Sequence, residues 1–260
     1  MTFRGDPGGP MSDLVDMTGK VALVTGGSRG LGRSMALGFS EHGADVVIAS
    51  RSQESCDAAA AEVRALGRQA LGHACHVGHW DELGTLVDAA YERFGHVDVL
   101  VNNAGMSPLY PSLDQVSEEL FDKIVAVNLK GPFRLSALVA KRMMEGDGGT
   151  IINVSSTAAV NPSPNSEPYG AAKAGINSLT KSMAAAYGPT VRVNCIQAGP
   201  FLTDISKAWD LEAFAARAKT TIPLQRGGEP DEVVGAALYL ASAASSFTTG
   251  AILAVDGGSR

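Results

Sequence analysis

The feature that most restricts the fold of this chain is an alternation, from Lys20 onward, of short apolar β-branched runs with longer helix-forming ones. Residues 21–25, 45–49, 69–75, 97–101, 150–154, 191–196 and 251–255 read as seven strands, with helical patterns between them at about 30–42, 53–66, 80–94, 117–144, 168–187 and 230–242. Near-continuous apolar strands separated by helices predict a parallel sheet covered on both faces. Seven strands rather than eight disfavour a closed barrel, so the expected class is α/β, a doubly wound seven-stranded sheet in one domain over 18–260. Residues 1–17, rich in Gly, Pro and Asp, read as a flexible arm, with Met11 as an alternative start.

The loop Thr25-Gly-Gly-Ser-Arg-Gly-Leu-Gly32 falls between the first strand and the first helix, the place where a Rossmann-type fold binds a dinucleotide. Gly26, Gly30 and Gly32 are spaced four and two apart, and Ser28, Arg29 and Leu31 complete the candidate cofactor loop. This is not G-x-G-x-x-G, but glycine here also permits a tight turn and lets backbone N–H groups approach a pyrophosphate at a helix N-terminus. The second strand ends in Ser50-Arg51, where an acidic residue would hold a free ribose 2′-hydroxyl. Asp45 opens that strand and so lies at the wrong end. Arg51, with Arg29, can instead clasp a 2′-phosphate, so NADP(H) is favoured over NAD(H), with solvated surface arginines as the alternative.

Tyr169-Gly-Ala-Ala-Lys173 places a phenol and an ammonium one turn apart on one helix face. A free phenol, with a pKa of about 10, is a poor acid–base catalyst near neutrality, and a neighbouring cation favours phenolate. The pair alone is a common coincidence. Ser156, thirteen residues before Tyr169 at the end of an apolar run, would bring a hydroxyl to the same pocket.

With 45% hydrophobic residues and a net charge of −6 the chain has no basic stripe, which argues against nucleic acid or an anionic membrane as main partner. It shows no apolar run of membrane-spanning length and no secretory signal in residues 1–10, so a cytoplasmic protein is expected. Three dispersed cysteines, Cys56, Cys75 and Cys195, argue against a disulfide framework. His73, Cys75, His76 and His79 crowd together, but strand alternation splits them between two faces, so no metal site is assigned.

Together the glycine loop, Asn102-Asn-Ala-Gly105, Asn128, Ser156 and Tyr169/Lys173 resemble the short-chain dehydrogenase/reductase family, including its 3-oxoacyl-carrier-protein reductases. The resemblance covers nearly everything after residue 17. It also takes in Asn194, the Pro-Leu-Gln-Arg-Gly-Gly-Glu-Pro run at 223–230, and Asp256-Gly-Gly258. It implies hydride exchange with a nicotinamide cofactor, Tyr169 as proton donor and acceptor, Lys173 lowering the tyrosine pKa and holding the nicotinamide ribose, and Ser156 polarising the carbonyl. Asn128 would hold a water behind Lys173, although an amide that merely satisfies helix backbone is the competing reading. Asn102, Ala104, Gly105, Val77, Gly199 and Thr203 would line the cofactor, and a homotetramer is implied. This chain departs from the pattern at His76, where an acidic residue is usual, and at Ala198, where the pattern has proline. Phe201, Trp209 and Phe214, within a specificity segment at about 201–222, would form either a movable lid or helix core. An oxidising enzyme for a sugar or steroid alcohol, and a catalytically silent dinucleotide sensor, remain as alternative functions.

Overall fold

A computed structural model of the chain describes residues 14–162, 164–204, 206 and 210–259. Seven parallel strands form one sheet in the order β3-β2-β1-β4-β5-β6-β7. They are β1 (Val21–Thr25), β2 (Asp45–Ser50), β3 (Ala70–Ala74), β4 (Val99–Asn102), β5 (Gly149–Ser156), β6 (Val191–Ala198) and β7 (Ile252–Val255). Between them run α1 (Gly30–Glu41), α2 (Gln53–Ala65), α3 (Glu82–Phe94), α4 (Glu118–Val125), α5 (Gly131–Glu145), α6 (Glu167–Tyr187), α7 (Leu211–Thr221) and α8 (Val234–Ala241). The order reverses between β1 and β4, which makes the crevice beyond their C-terminal ends the natural ligand site.

Strand alternation divides the core into two layers. Val24, Val46, Ile48, Val101, Ile152 and Ile196 face α1, α2 and α8, around Met35, Phe39, Val63 and Leu240. Leu23, Val47, Leu100, Ile151 and Val193 face α3, α5 and α6, around Leu86, Leu135, Val139 and Met183. The doubly wound architecture read from the sequence is therefore present, with strand ends shifted by at most two residues.

Two departures bear on the site. The helix expected over 117–144 contains a π-helical turn at Ala126–Lys130 that joins α4 to α5, a distortion that hydrophobic periodicity does not reveal. Of the arm expected at 1–17, residues 1–13 lie outside the described residues. Met17 is fully buried in the first core layer, and its N–H donates to the His42 carbonyl at 2.8 Å.

Candidate active site

Tyr169 and Lys173 lie on the first two turns of α6, which carries Pro168 where helices accept it. The Lys173 side chain is buried, and its Nζ donates to the Val154 carbonyl at 2.7 Å. Ser155 Oγ donates to the Lys173 carbonyl at 3.1 Å. These two bonds dock α6 against the end of β5. Ser156, the last residue of β5, accepts from the Ala158 N–H at 3.2 Å, and its hydroxyl lies near enough to the Tyr169 phenol to favour the phenolate. Ser156, Tyr169 and Lys173 thus meet at the C-terminal edge of the sheet, with Lys173 Nζ 5.7 Å from the centre of the Tyr169 ring.

The electrostatics differ from the sequence expectation. Burial pushes the Tyr169 phenol above its ordinary value, and the Ser156 hydroxyl partly offsets this. Burial pulls the Lys173 ammonium down to about 8. The Lys173 ammonium is held on the Val154 carbonyl, 5.7 Å from the centre of the Tyr169 ring, and burial is the largest influence on the phenol.

Asn128 sits in the π turn, fully buried. Its Nδ2 donates to the Met106 and Ile124 carbonyls at 2.8 and 2.9 Å, and its Oδ1 accepts from the Met106 N–H at 3.2 Å. The side chain therefore satisfies backbone of both the helix and the loop after β4. It also borders the site: a Cβ on Gly105 would stand 3.0 Å from Asn128 Oδ1 and 3.6 Å from Lys173 Nζ.

Asn102 is the last residue of β4. Its side chain turns into the protein, donating to Ser136 Oγ at 2.8 Å and Asn153 Oδ1 at 2.9 Å, and Asn153 in turn donates to Thr180 Oγ1 at 3.0 Å. This buried chain ties β4 and β5 to α5 and α6 beneath the site, because polar groups inside an apolar core must find partners there. The neighbouring Asn103, which the sequence reading passed over, holds the cofactor loop. Its Nδ2 donates to the Thr25 carbonyl at 2.9 Å, while Thr25 Oγ1 accepts from the backbone N–H groups of Asn103 and Ala104 at 3.0 and 3.1 Å. A buried Thr closing β1 opposite an Asn-Asn pair closing β4 was the available signal.

A family model described as enoyl-(acyl carrier protein) reductase matches residues 26–260. The chain is 36% identical over 244 residues to human dehydrogenase/reductase SDR family member 4, covering 93% of this chain and 88% of that protein. It is 35% identical over 243 residues to a 3-oxoacyl-(acyl-carrier-protein) reductase of Thermotoga maritima, covering 93% and 98%. A solved 7α-hydroxysteroid dehydrogenase complexed with NADH and 7-oxo glycochenodeoxycholic acid superposes with a TM-score of 0.92 at 34% identity, covering 96% of this chain and 98% of the other. The chain belongs to the short-chain dehydrogenase/reductase family. This dehydrogenase/reductase accordingly acts on CH–OH and carbonyl groups with NAD(P).

Its cofactor edge suits an anionic dinucleotide. The N-terminus of α1 has no side-chain cap and no acidic residue in its first turn, which leaves N–H groups for a pyrophosphate. The loop needs its glycines for its own packing: Gly26 has φ +64°, and a Cβ on Gly32 would collide with the Gly26 carbonyl and stand 2.5 Å from Asn103 Nδ2. Ser28 is half-buried, and Leu31 packs on the first core layer. Arg29 is paired with Asp204 at 3.9 Å, across to the segment after β6, rather than free to join Arg51. Ser50 Oγ lies 3.1 Å from Cys56 Sγ, so its hydroxyl faces α2, and Arg51 is exposed. Val77 is buried in the second core layer, leaving only backbone for a ligand.

On the far side Ala198 continues β6 in register with Ser156 and Val255. The missing proline therefore does not disturb the strand. The Gly199 N–H donates to the Val255 carbonyl at 3.0 Å. Thr203 stands over the glycine loop, with its Cβ 3.5 Å from where a Gly30 Cβ would be. Phe201 and Phe214 are buried, and Phe214 packs with Ala218, Ile222 and Leu202, so these two are core; Trp209 lies outside the described residues. A cleft of about 600 Å³ opens between Gly30, Thr203 and α7, and its lining includes neither Ser156 nor Tyr169. Among the described residues no group of three or more His, Cys, Asp or Glu side chains is placed to hold a metal.

Proposed function

We propose that this protein is an NADP(H)-dependent oxidoreductase that interconverts a carbonyl and a secondary alcohol, with Tyr169 as the acid and base. The observation that carries the reading is the meeting of Ser156 at the end of β5 with Tyr169 and buried Lys173 on α6, at the sheet edge that also bears the glycine loop. Bound nicotinamide supplies the hydride in reduction and takes it back in oxidation. Ser156 Oγ donates to the carbonyl oxygen and polarises it. Tyr169 gives its phenolic proton to that oxygen as the new C–H bond forms, and in oxidation it removes the proton again. Lys173 and Asn128 stand behind the phenol, where the proton is returned from solvent. The raised phenol keeps Tyr169 protonated near neutrality, which suits reduction.

Exposed Arg51 at the end of β2 supports NADP(H). An NAD(H)-linked steroid or sugar alcohol dehydrogenase is the second reading. It is favoured by the Arg29–Asp204 pair, which takes one arginine from a phosphate clasp, and by the NADH-bound steroid dehydrogenase relative. Exposed Ala171, Ala174, Ala185 and Ala186 on α6 leave room for a close helix neighbour and are consistent with a homotetramer, which light scattering would measure. Among the described residues no helix is long and apolar enough to cross a membrane, and we place the protein in the cytoplasm.

The test is a panel of carbonyls and alcohols with both cofactors, followed by absorbance of the reduced nicotinamide. Tyr169→Phe should lower turnover of every accepted substrate by about 10²–10⁴-fold; unchanged turnover removes the mechanism. Arg51→Asp should shift preference from NADPH toward NADH, and unchanged discrimination removes the NADP(H) assignment.

A further inference from the structure

His76 stands beside Arg51 at the cofactor edge. The Ser50↔Ala74 register and the bond from the Cys75 N–H to the Ser50 carbonyl, at 2.8 Å, bring the ends of β2 and β3 together, with Arg51 opposite Cys75 and His76 one residue beyond, where the Arg51 charge still acts on the imidazole. His76 is held from three directions. Its backbone N–H donates to Glu82 Oε2 at 2.7 Å, its ring stacks on His79 at 4.1 Å, and His79 is itself fixed by Glu82 Oε1 at 2.6 Å. Its Nδ1 accepts from the Gly78 N–H at 3.2 Å. A ring that accepts at Nδ1 carries its proton on Nε2, and Nε2 has no hydrogen-bond partner among the described residues. Desolvation first, then His79 and Arg51, hold the imidazole below its ordinary value against the opposing pulls of Glu82 and the residue's own backbone.

We propose that His76 is a cofactor-specificity residue, donating its Nε2–H to the adenosine 2′-phosphate that Arg51 neutralises. Arg51 contributes charge, and His76 contributes a fixed direction. This inference rests on the NADP(H) reading and adds a residue to it.

The test is fluorescence titration of NADPH and NADH against the wild type and three variants. His76→Leu should weaken NADPH about tenfold, the size expected when a hydrogen bond to a charged group is lost, and leave NADH within about twofold. His76→Gln, which restores a side-chain N–H donor without a titrating ring, should recover most of the NADPH affinity. Equal weakening of both cofactors by His76→Leu would make His76 an adenine contact or a structural prop and overturn the proposal, as would unchanged NADPH binding. Arg51→Asp separates the two levels. If it leaves the preference unchanged, the NADP(H) reading itself fails; if it shifts the preference while His76→Leu does nothing, only the role of His76 fails. NADH affinity of each variant reports whether the site is still folded.

Discussion

The two sides of the ligand crevice are built from different materials. Around β1 and α1 the work is done by backbone: Gly26 takes a positive φ, Gly32 packs against the Gly26 carbonyl, and the first N–H groups of α1 are left uncapped. Around β5 and α6 it is done by buried side chains: Lys173 on the Val154 carbonyl, Ser155 on the Lys173 carbonyl, and the Asn102–Asn153–Thr180 chain below. A backbone site needs the absence of side chains, and a side-chain site needs each polar group to be partnered. The first therefore tolerates little added volume, while the second tolerates little lost polarity.

The largest expected effect breaks the side-chain half. Ser156→Ala should reduce kcat/KM by about 10²–10³-fold, the cost of one missing donor at a developing oxyanion, with cofactor affinity retained. Steady-state kinetics beside cofactor titration would check both parts. The backbone half should respond differently: Gly32→Ala should cost about 2–3 kcal/mol of stability through overpacking and impair cofactor binding, read as a lowered Tm and a lost binding signal.

A third experiment sharpens the contrast through pH. Lys173 loses its proton at about 8 in the folded protein against 10.5 for the free side chain. Between those values the unfolded chain holds more protons, so this residue makes stability rise with pH across that window and costs stability below it. Lys173→Met should slow turnover yet stabilise the protein at pH 7 by about 1–2 kcal/mol, the relief of burial less the cost of an unpaired Val154 carbonyl. Denaturant titration at pH 7 and 10 would show the gain shrinking at the higher pH. The smallest effect is expected where the two halves touch: Asn103→Ala should loosen the loop and weaken cofactor binding by about tenfold, with KM for the carbonyl unchanged.

The readable parts of the molecule were those in which a local pattern carries its own cause. Alternating apolar runs marked the strands, and glycine spacing marked the loop. Spacing four put Tyr169 and Lys173 on one helix face, and Ser156 with the other motifs lifted that pair above coincidence. What escaped depended on partners far away in sequence. The π turn that presents Asn128 is invisible to periodicity, and Asn103 gained its role only from Thr25, 78 residues earlier. The inward aim of the Asn102 amide likewise depends on Ser136 and Asn153, which satisfy it there.

From the sequence alone came the layered α/β architecture, the position of the glycine loop after the first strand, and Ser156, Tyr169 and Lys173 as a candidate set, since periodicity and residue chemistry act over short distances. Only the tertiary structure decided how those groups are charged and aimed. Burial, unlike spacing, is a property of everything packed around a residue, and here it raises the phenol, lowers the ammonium to about 8 and turns Lys173 to the carbonyl of Val154.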